Sequence, residues 1–147
     1  MKKLPASAPL ILLVGDNRDG LLVRRALLEE PGYSVLIAKN GEEGLKIFES
    51  RTFDLVVTDY GMPVMNGVEL IARIRKRNAN ARIVLLCGSV DPLGLTTEDT
   101  GADAILAKSA NEPALLMRAV RRLLSRAPRK PPIAQSGPRS RAAVSAR

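Results

Sequence analysis

Histidine is missing from all 147 residues. That excludes His-ligated zinc sites, Ser-His and Cys-His nucleophile pairs, and any role as a histidine phosphocarrier. Cysteine is nearly missing too: Cys87 stands alone, so there is no disulfide framework, and a cytoplasmic location is expected. Two Phe, two Tyr and no Trp leave an aliphatic core. No apolar run approaches the roughly 20 residues that cross a bilayer. The start, MKKLPASAPLILLVGD, superficially suggests a secretory signal. Its apolar run, Leu10 to Val14, falls short of the ~7–15 residues of a signal core, and it ends in Gly15-Asp16 rather than a cleavage site. It reads as a strand. Whatever chemistry this chain performs runs on carboxylates, hydroxyls and lysine.

The formal charge of +8 divides unevenly. Residues 126–147 carry six Lys/Arg and no acid, and Lys2 and Lys3 add two more. The other 15 basic residues balance 15 acids, all between Asp16 and Glu112. The body is neutral and the ends are basic. The stretch SRAPRKPPIAQSGPRSRAAVSAR has four prolines and little to bury, so the sequence predicts a disordered tail over 126–147. Residues 1–8 form a short N-terminal tail, and 9–125 the folded domain.

Inside that domain, apolar runs alternate with helix-like stretches. The runs are LILLV (10–14), SVLIA (34–38), DLVVT (54–58), RIVLLC (82–87) and AILA (104–107). Short continuous runs bounded by turn residues suggest strands covered on both faces. Between them lie RDGLLVRRALLEE, NGEEGLKIFESR, NGVELIARIRKR and the weaker DPLGLTTEDTGAD, and EPALLMRAVRRLL closes the series. In the last, Leu116, Val120, Leu123 and Leu124 make one apolar stripe. Gly32 and Gly101 sit where helices would stop before the next strand. Five such units predict an α/β fold: a five-stranded, doubly wound parallel sheet with helices on both faces. The functional crevice of such sheets lies at the carboxyl ends of the strands.

Residues 53–67, FDLVVTDYGMPVMNG, place Asp59 at one such end. A carboxylate there is costly unless a cation or strong hydrogen bonds meet it. Asp16 follows the first strand and Lys108 the fifth, so three polar groups converge on one crevice. A lone Asp after a strand is most often a turn or cap residue, and a lone Lys a solvated charge. Their joint placement at three strand tips is harder to attribute to chance. Two carboxylates with a carbonyl from the following loop make an oxygen-rich site suited to Mg²⁺. An aspartate beside metal and lysine can attack a phosphoryl group and form an acyl phosphate.

The segments LLVGDN, VVTDYGMPVMNGVEL and TGADAILAKS, with the amphipathic closing helix, resemble the receiver domain of bacterial two-component response regulators. The resemblance runs from about Leu10 to Leu124. It implies the flavodoxin-like strand order 2-1-3-4-5. It further implies Asp59 as phosphoacceptor, with Asp16 and the Gly61 carbonyl joining Asp59 as Mg²⁺ ligands, and Lys108 as the phosphate-binding lysine. A histidine kinase or phosphotransfer protein would supply the phosphoryl group.

Four positions depart from that family's pattern. Gly15 replaces the first of two acids, which predicts weaker Mg²⁺ binding; the Asn17 carbonyl is one candidate replacement. Cys87 best fits the place of a Thr or Ser hydroxyl, and a thiol is a poor donor; Ser89 would serve if the strand ended later. Cys87 otherwise reads as a small buried hydrophobe. Ile105 replaces the usual switch aromatic, and Ser109 the proline after the lysine. The fourth helix is also weak, with Gly94, threonines and a proline start.

The expected protein is a stand-alone receiver, not a metabolic enzyme, signalling through an output partner that the sequence does not name. One alternative is a pseudo-receiver that binds its partner without phosphorylation. Another is an anionic-surface binder acting through the basic tail. That tail has no aromatics for base stacking, which argues against specific nucleic-acid recognition.

Overall fold

Every second residue of the central strands faces the same way, and both faces are apolar. The computed structural model describes residues 8–88 and 94–126. Five strands, β1 (Leu10–Val14), β2 (Ser34–Ala38), β3 (Leu55–Asp59), β4 (Ile83–Cys87) and β5 (Ala104–Ala107), form one parallel sheet in the order β2-β1-β3-β4-β5. Between and after them run α1 (Arg18–Glu29), α2 (Gly41–Ser50), α3 (Gly67–Arg77), a single turn α4 (Thr97–Thr100) and α5 (Glu112–Ser125). The expected sheet and strand order are both present. The N-terminal tail through residue 7, Ser89, and the basic tail from residue 127 lie outside the described residues.

Two cores result. Ile11, Leu13, Leu55, Val57, Val84 and Leu86 pack against α1 and α5 through Leu21, Leu28, Leu116, Val120 and Leu123. On the opposite face Leu12, Val14, Val56, Ile83 and Leu85 meet α2 and α3 through Phe48, Leu70, Ile71 and Ile74. Each fully buried Leu or Ile contributes roughly 1.5–3 kcal/mol, so these two layers hold the sheet together. Side-chain caps set the helix starts: Asn17 for α1, Asn40 for α2, and a reciprocal Asn66–Glu69 capping box for α3.

Three strand boundaries differ from the sequence reading, one of them in β4, which begins at Ile83 rather than Arg82. β3 begins at Leu55 rather than Asp54, and it includes Asp59. The Asp54 side chain instead accepts the Leu10 N–H at 2.8 Å, which fixes it outside the strand. Asp59 stays in because it lies in register with Leu86 of β4. Of the weak fourth helical stretch, residues 91–93 lie outside the described residues; its described part holds a single turn, capped by Thr96 and closed by Gly101 at φ 80°. Arg75 of α3 supports it, donating to the Gly101 carbonyl through Nε at 3.1 Å and Nη2 at 2.6 Å. The same guanidinium donates to the Ala79 and Ala81 carbonyls and pairs with Asp103.

Candidate functional site

β3 carries Asp59 into the interior, where the residue is 2% exposed. A buried carboxylate requires cations, and two arrive from different directions. Lys108, just past β5, places Nζ 3.1 Å from Oδ1. Arg24, on the inward stripe of α1 between the buried Leu21 and Leu28, places Nη1 3.8 Å from the same oxygen. Neither contact has hydrogen-bond geometry: Oδ1 is buried and accepts no hydrogen bond from the described residues. It is an oxygen held by charge alone, open to a further cation or a bond.

Arg24 is itself anchored. Nε donates to Glu112 Oε2 at 2.8 Å and Nη2 to Oε1 at 3.0 Å, a fork-to-fork pair. Glu112 is 8% exposed and opens α5, where the helix dipole favours a carboxylate. Its hydrogen bonds hold the Arg24 guanidinium above the ordinary arginine pKa; burial opposes this, and the Asp59 charge adds to it. The sequence reading missed both residues. One signal was available: a cation at position 24, three residues after Leu21 and four before Leu28, falls on a stripe that otherwise faces the core.

The carboxylate leans over β1. A Cβ built on Gly15 would lie 2.3 Å from Asp59 Oδ2, so the missing side chain at position 15 is the room that Asp59 uses. Asp16, next along, is exposed. The side-chain oxygen of Asn17, the candidate replacement for Gly15, accepts the Gly20 N–H at 2.8 Å as the cap of α1. Cys87 ends β4 one step past the level of Asp59 and is 1% exposed. Ile105 is half-buried in the α2–α3 core.

After Asp59 the loop is tightly pinned. Tyr60 N donates to Leu86 O at 2.7 Å, and Gly67 N returns to Tyr60 O at 2.8 Å. A Cβ on Gly67 would lie 2.3 Å from the Asp59 carbonyl, which only glycine avoids. Between them Met65 N donates to Pro63 O at 2.8 Å around Val64, whose φ of 71° is strained for a β-branched residue. Gly61 lies exposed in this loop.

As a cation site, the set is hard and oxygen-rich but thin in charge. Among the described residues no three acidic, Cys or His side chains gather as a metal cluster. What exists is two acids, Asp16 and Asp59, with the Gly61 carbonyl nearby in the chain. The orphaned Oδ1 of Asp59 fits a divalent ion of the Mg²⁺ kind.

The family model for the response regulator receiver domain matches residues 11–121. The chain therefore belongs to the response regulator receiver family. It is 36% identical over 119 residues to a gliding motility regulatory protein of Myxococcus xanthus, covering 77% of this chain and 15% of that one. Its fold matches a chemotaxis protein CheY4 of Vibrio cholerae with a TM-score of 0.74 at 27% identity, over 80% of this chain and 100% of that one. It also matches the response regulator TrrA of Thermotoga maritima, solved in complex with Mg²⁺–BeF, with a TM-score of 0.69 at 36% identity, over 79% of this chain and 99% of that one. The chain spans less than half the length of the first curated relatives it matches. No helix among the described residues is long and apolar enough to cross a membrane.

Proposed function

We propose that this receiver accepts a phosphoryl group on Asp59 from a histidine kinase or phosphotransfer protein and signals by protein–protein contact. The observation that carries the reading is the buried Asp59 Oδ1, without a hydrogen bond and faced by Lys108 at 3.1 Å. Asp59 acts as the nucleophile: a carboxylate oxygen forms a bond to phosphorus while the bond from phosphorus to the donor breaks. The leaving group keeps the electron pair. Lys108 offsets the charge that builds on the phosphoryl oxygens. Asp16, Asp59 and the Gly61 carbonyl would hold Mg²⁺, which supplies charge stabilisation to those oxygens when bound. With Gly15 in place of an acid, that ion is held by fewer charges, and its affinity is correspondingly low. A lone thiol and a kinase-supplied phosphoryl group fit a cytoplasmic setting.

The chemistry ends in a modified carboxylate, and the output is a shift in surface states rather than turnover of a metabolite. A second reading has a specific observation behind it. Asp59 already has two cationic neighbours without any added ion. Such a prepaired carboxylate suits a pseudo-receiver that binds its partner unmodified.

Intact-mass analysis after incubation with acetyl phosphate and Mg²⁺ separates the two. The expected result is gain of one phosphoryl group, lost in Asp59→Asn and slowed without Mg²⁺. An unchanged mass in the wild type would establish the pseudo-receiver instead.

A further inference from the structure

We propose that Arg24 is a ligand of the phosphoryl group on Asp59, aimed by Glu112, and that its guanidinium is a stronger hydrogen-bond donor than the thiol of Cys87. This rests on Asp59 being the phosphoacceptor.

The guanidinium has two working edges. Nε and Nη2 are committed to Glu112 at 2.8 Å and 3.0 Å. Nη1 is not, and it faces Asp59 Oδ1 at 3.8 Å, too long for a hydrogen bond to the carboxylate itself. A phosphoryl group added at Asp59 brings acceptor oxygens outward from that carboxylate, into the gap that Nη1 borders. The room has been kept clear from the other side as well: a Cβ on Gly20 would lie 3.0 Å from Nη1. The cleft beside it, about 350 Å³, runs between α1 and the start of α5 and is lined by Asp19, Gly20, Val23, Arg24, Ser109 and Glu112 among others.

Transfer also changes the charge at Asp59. Transfer forms an O–P bond at Asp59, breaks the bond to the donor's leaving group, and leaves about two negative charges where one stood. No proton moves to or from Arg24, which stays a cation throughout. Lys108 is the compensating charge; the charge of Arg24 is shared with Glu112, so its contribution is the directed Nη1 donor. Because Glu112 fixes the fork before the reaction, little reorganisation is needed when the charge develops. Arginine is suited to the task because one planar group can bind a carboxylate on one edge and a phosphoryl oxygen on another. Arg24 touches the reacting group; Glu112 is a positioning residue.

The test uses the full chain, acetyl phosphate and Mg²⁺, with the initial rate of phosphoryl uptake and the lifetime of the product read by intact mass. Arg24→Gln alone strands a buried Glu112, so the decisive protein is the double variant Arg24→Gln/Glu112→Gln, which leaves no unpaired charge there. It is expected to fold, as judged by its thermal melt, and to take up phosphoryl about 100-fold more slowly than wild type. Arg24→Lys, which keeps the charge without the fork, is expected to fall in between. If the double variant does not fold, Glu112→Gln carries the test, with Arg24 present but unaimed and uptake reduced about tenfold. Wild-type uptake and lifetime in whichever of these folds would overturn the role of Arg24 while leaving the phosphoacceptor reading intact. No uptake by the wild type would overturn both.

Discussion

Two arginines at opposite sides of the sheet have been put to contrasting uses. Arg75, between α3 and α4, donates to three main-chain carbonyls and meets one carboxylate. Arg24, between α1 and α5, binds one carboxylate with two nitrogens and turns the third toward another. The first is satisfied by backbone and holds a one-turn helix in place. The second is incompletely satisfied, and the group it faces is a buried carboxylate whose Oδ1 also lacks a hydrogen bond. Arg75 is saturated, whereas Arg24 keeps an edge beside the buried oxygen of the proposed phosphoacceptor.

Removing the saturated arginine is expected to have the largest effect on stability. Arg75→Ala leaves the Gly101 and Ala81 carbonyls without their donor, and we expect a loss of about 3 kcal/mol in urea unfolding. Uptake of phosphoryl by the folded fraction stays at the wild-type rate. A matching drop in uptake would erase the contrast between the two arginines.

The next effect concerns the space that Asp59 occupies. In Gly67→Ala the new methyl meets the Asp59 carbonyl, a backbone atom that cannot swing aside. A loss of about 2–3 kcal/mol is expected from overpacking. Gly15→Ala is milder, because its methyl meets the terminal oxygen of a side chain. About 1 kcal/mol and a slower phosphoryl uptake are expected, since the carboxylate must leave its position between Lys108 and Arg24. Equal costs for the two alanines would mean that Asp59 is not held where its cations place it.

Gly15→Asp sharpens the comparison further, adding an acid next to one already paired with two cations. The variant is expected to be less stable than wild type without divalent ion and to recover part of that loss as Mg²⁺ is added, because binding to the folded state alone stabilises it. Thermal melts with and without Mg²⁺ measure this directly. The smallest effect is at Val64, 87% exposed and at φ 71°. Val64→Gly removes the strain, offset in part by the larger chain entropy of glycine, so it is expected to stabilise by about 0.5 kcal/mol, read from the urea midpoint. A destabilised Val64→Gly would show that the side chain has contacts that outweigh its backbone.

Much of this was legible from residue order. The five apolar runs are the five strands, and Leu116, Val120 and Leu123 are the buried stripe of the closing helix, because burial on a fixed period is written locally. Asp59 and Lys108 were legible as a pair for a related reason: parallel topology sends every strand tip to one edge. Asn17 was legible only as a candidate metal ligand, and its role as a helix cap was not. Its side chain caps α1, a choice made by a neighbour three residues away.

The sequence alone determined the layers, the crevice and the identity of its central carboxylate, all properties of period, alternation and turn chemistry. It did not determine what Asp59 would meet. Arg24 and Glu112 are 88 residues apart, and nothing local ties either to position 59. Only the packing of α1 and α5 on the same face of the sheet brings them together, and only the bare backbone of Gly15 lets the carboxylate lean into the space between. Ion pairs depend on distances in three dimensions, and the chain carries no local record of those.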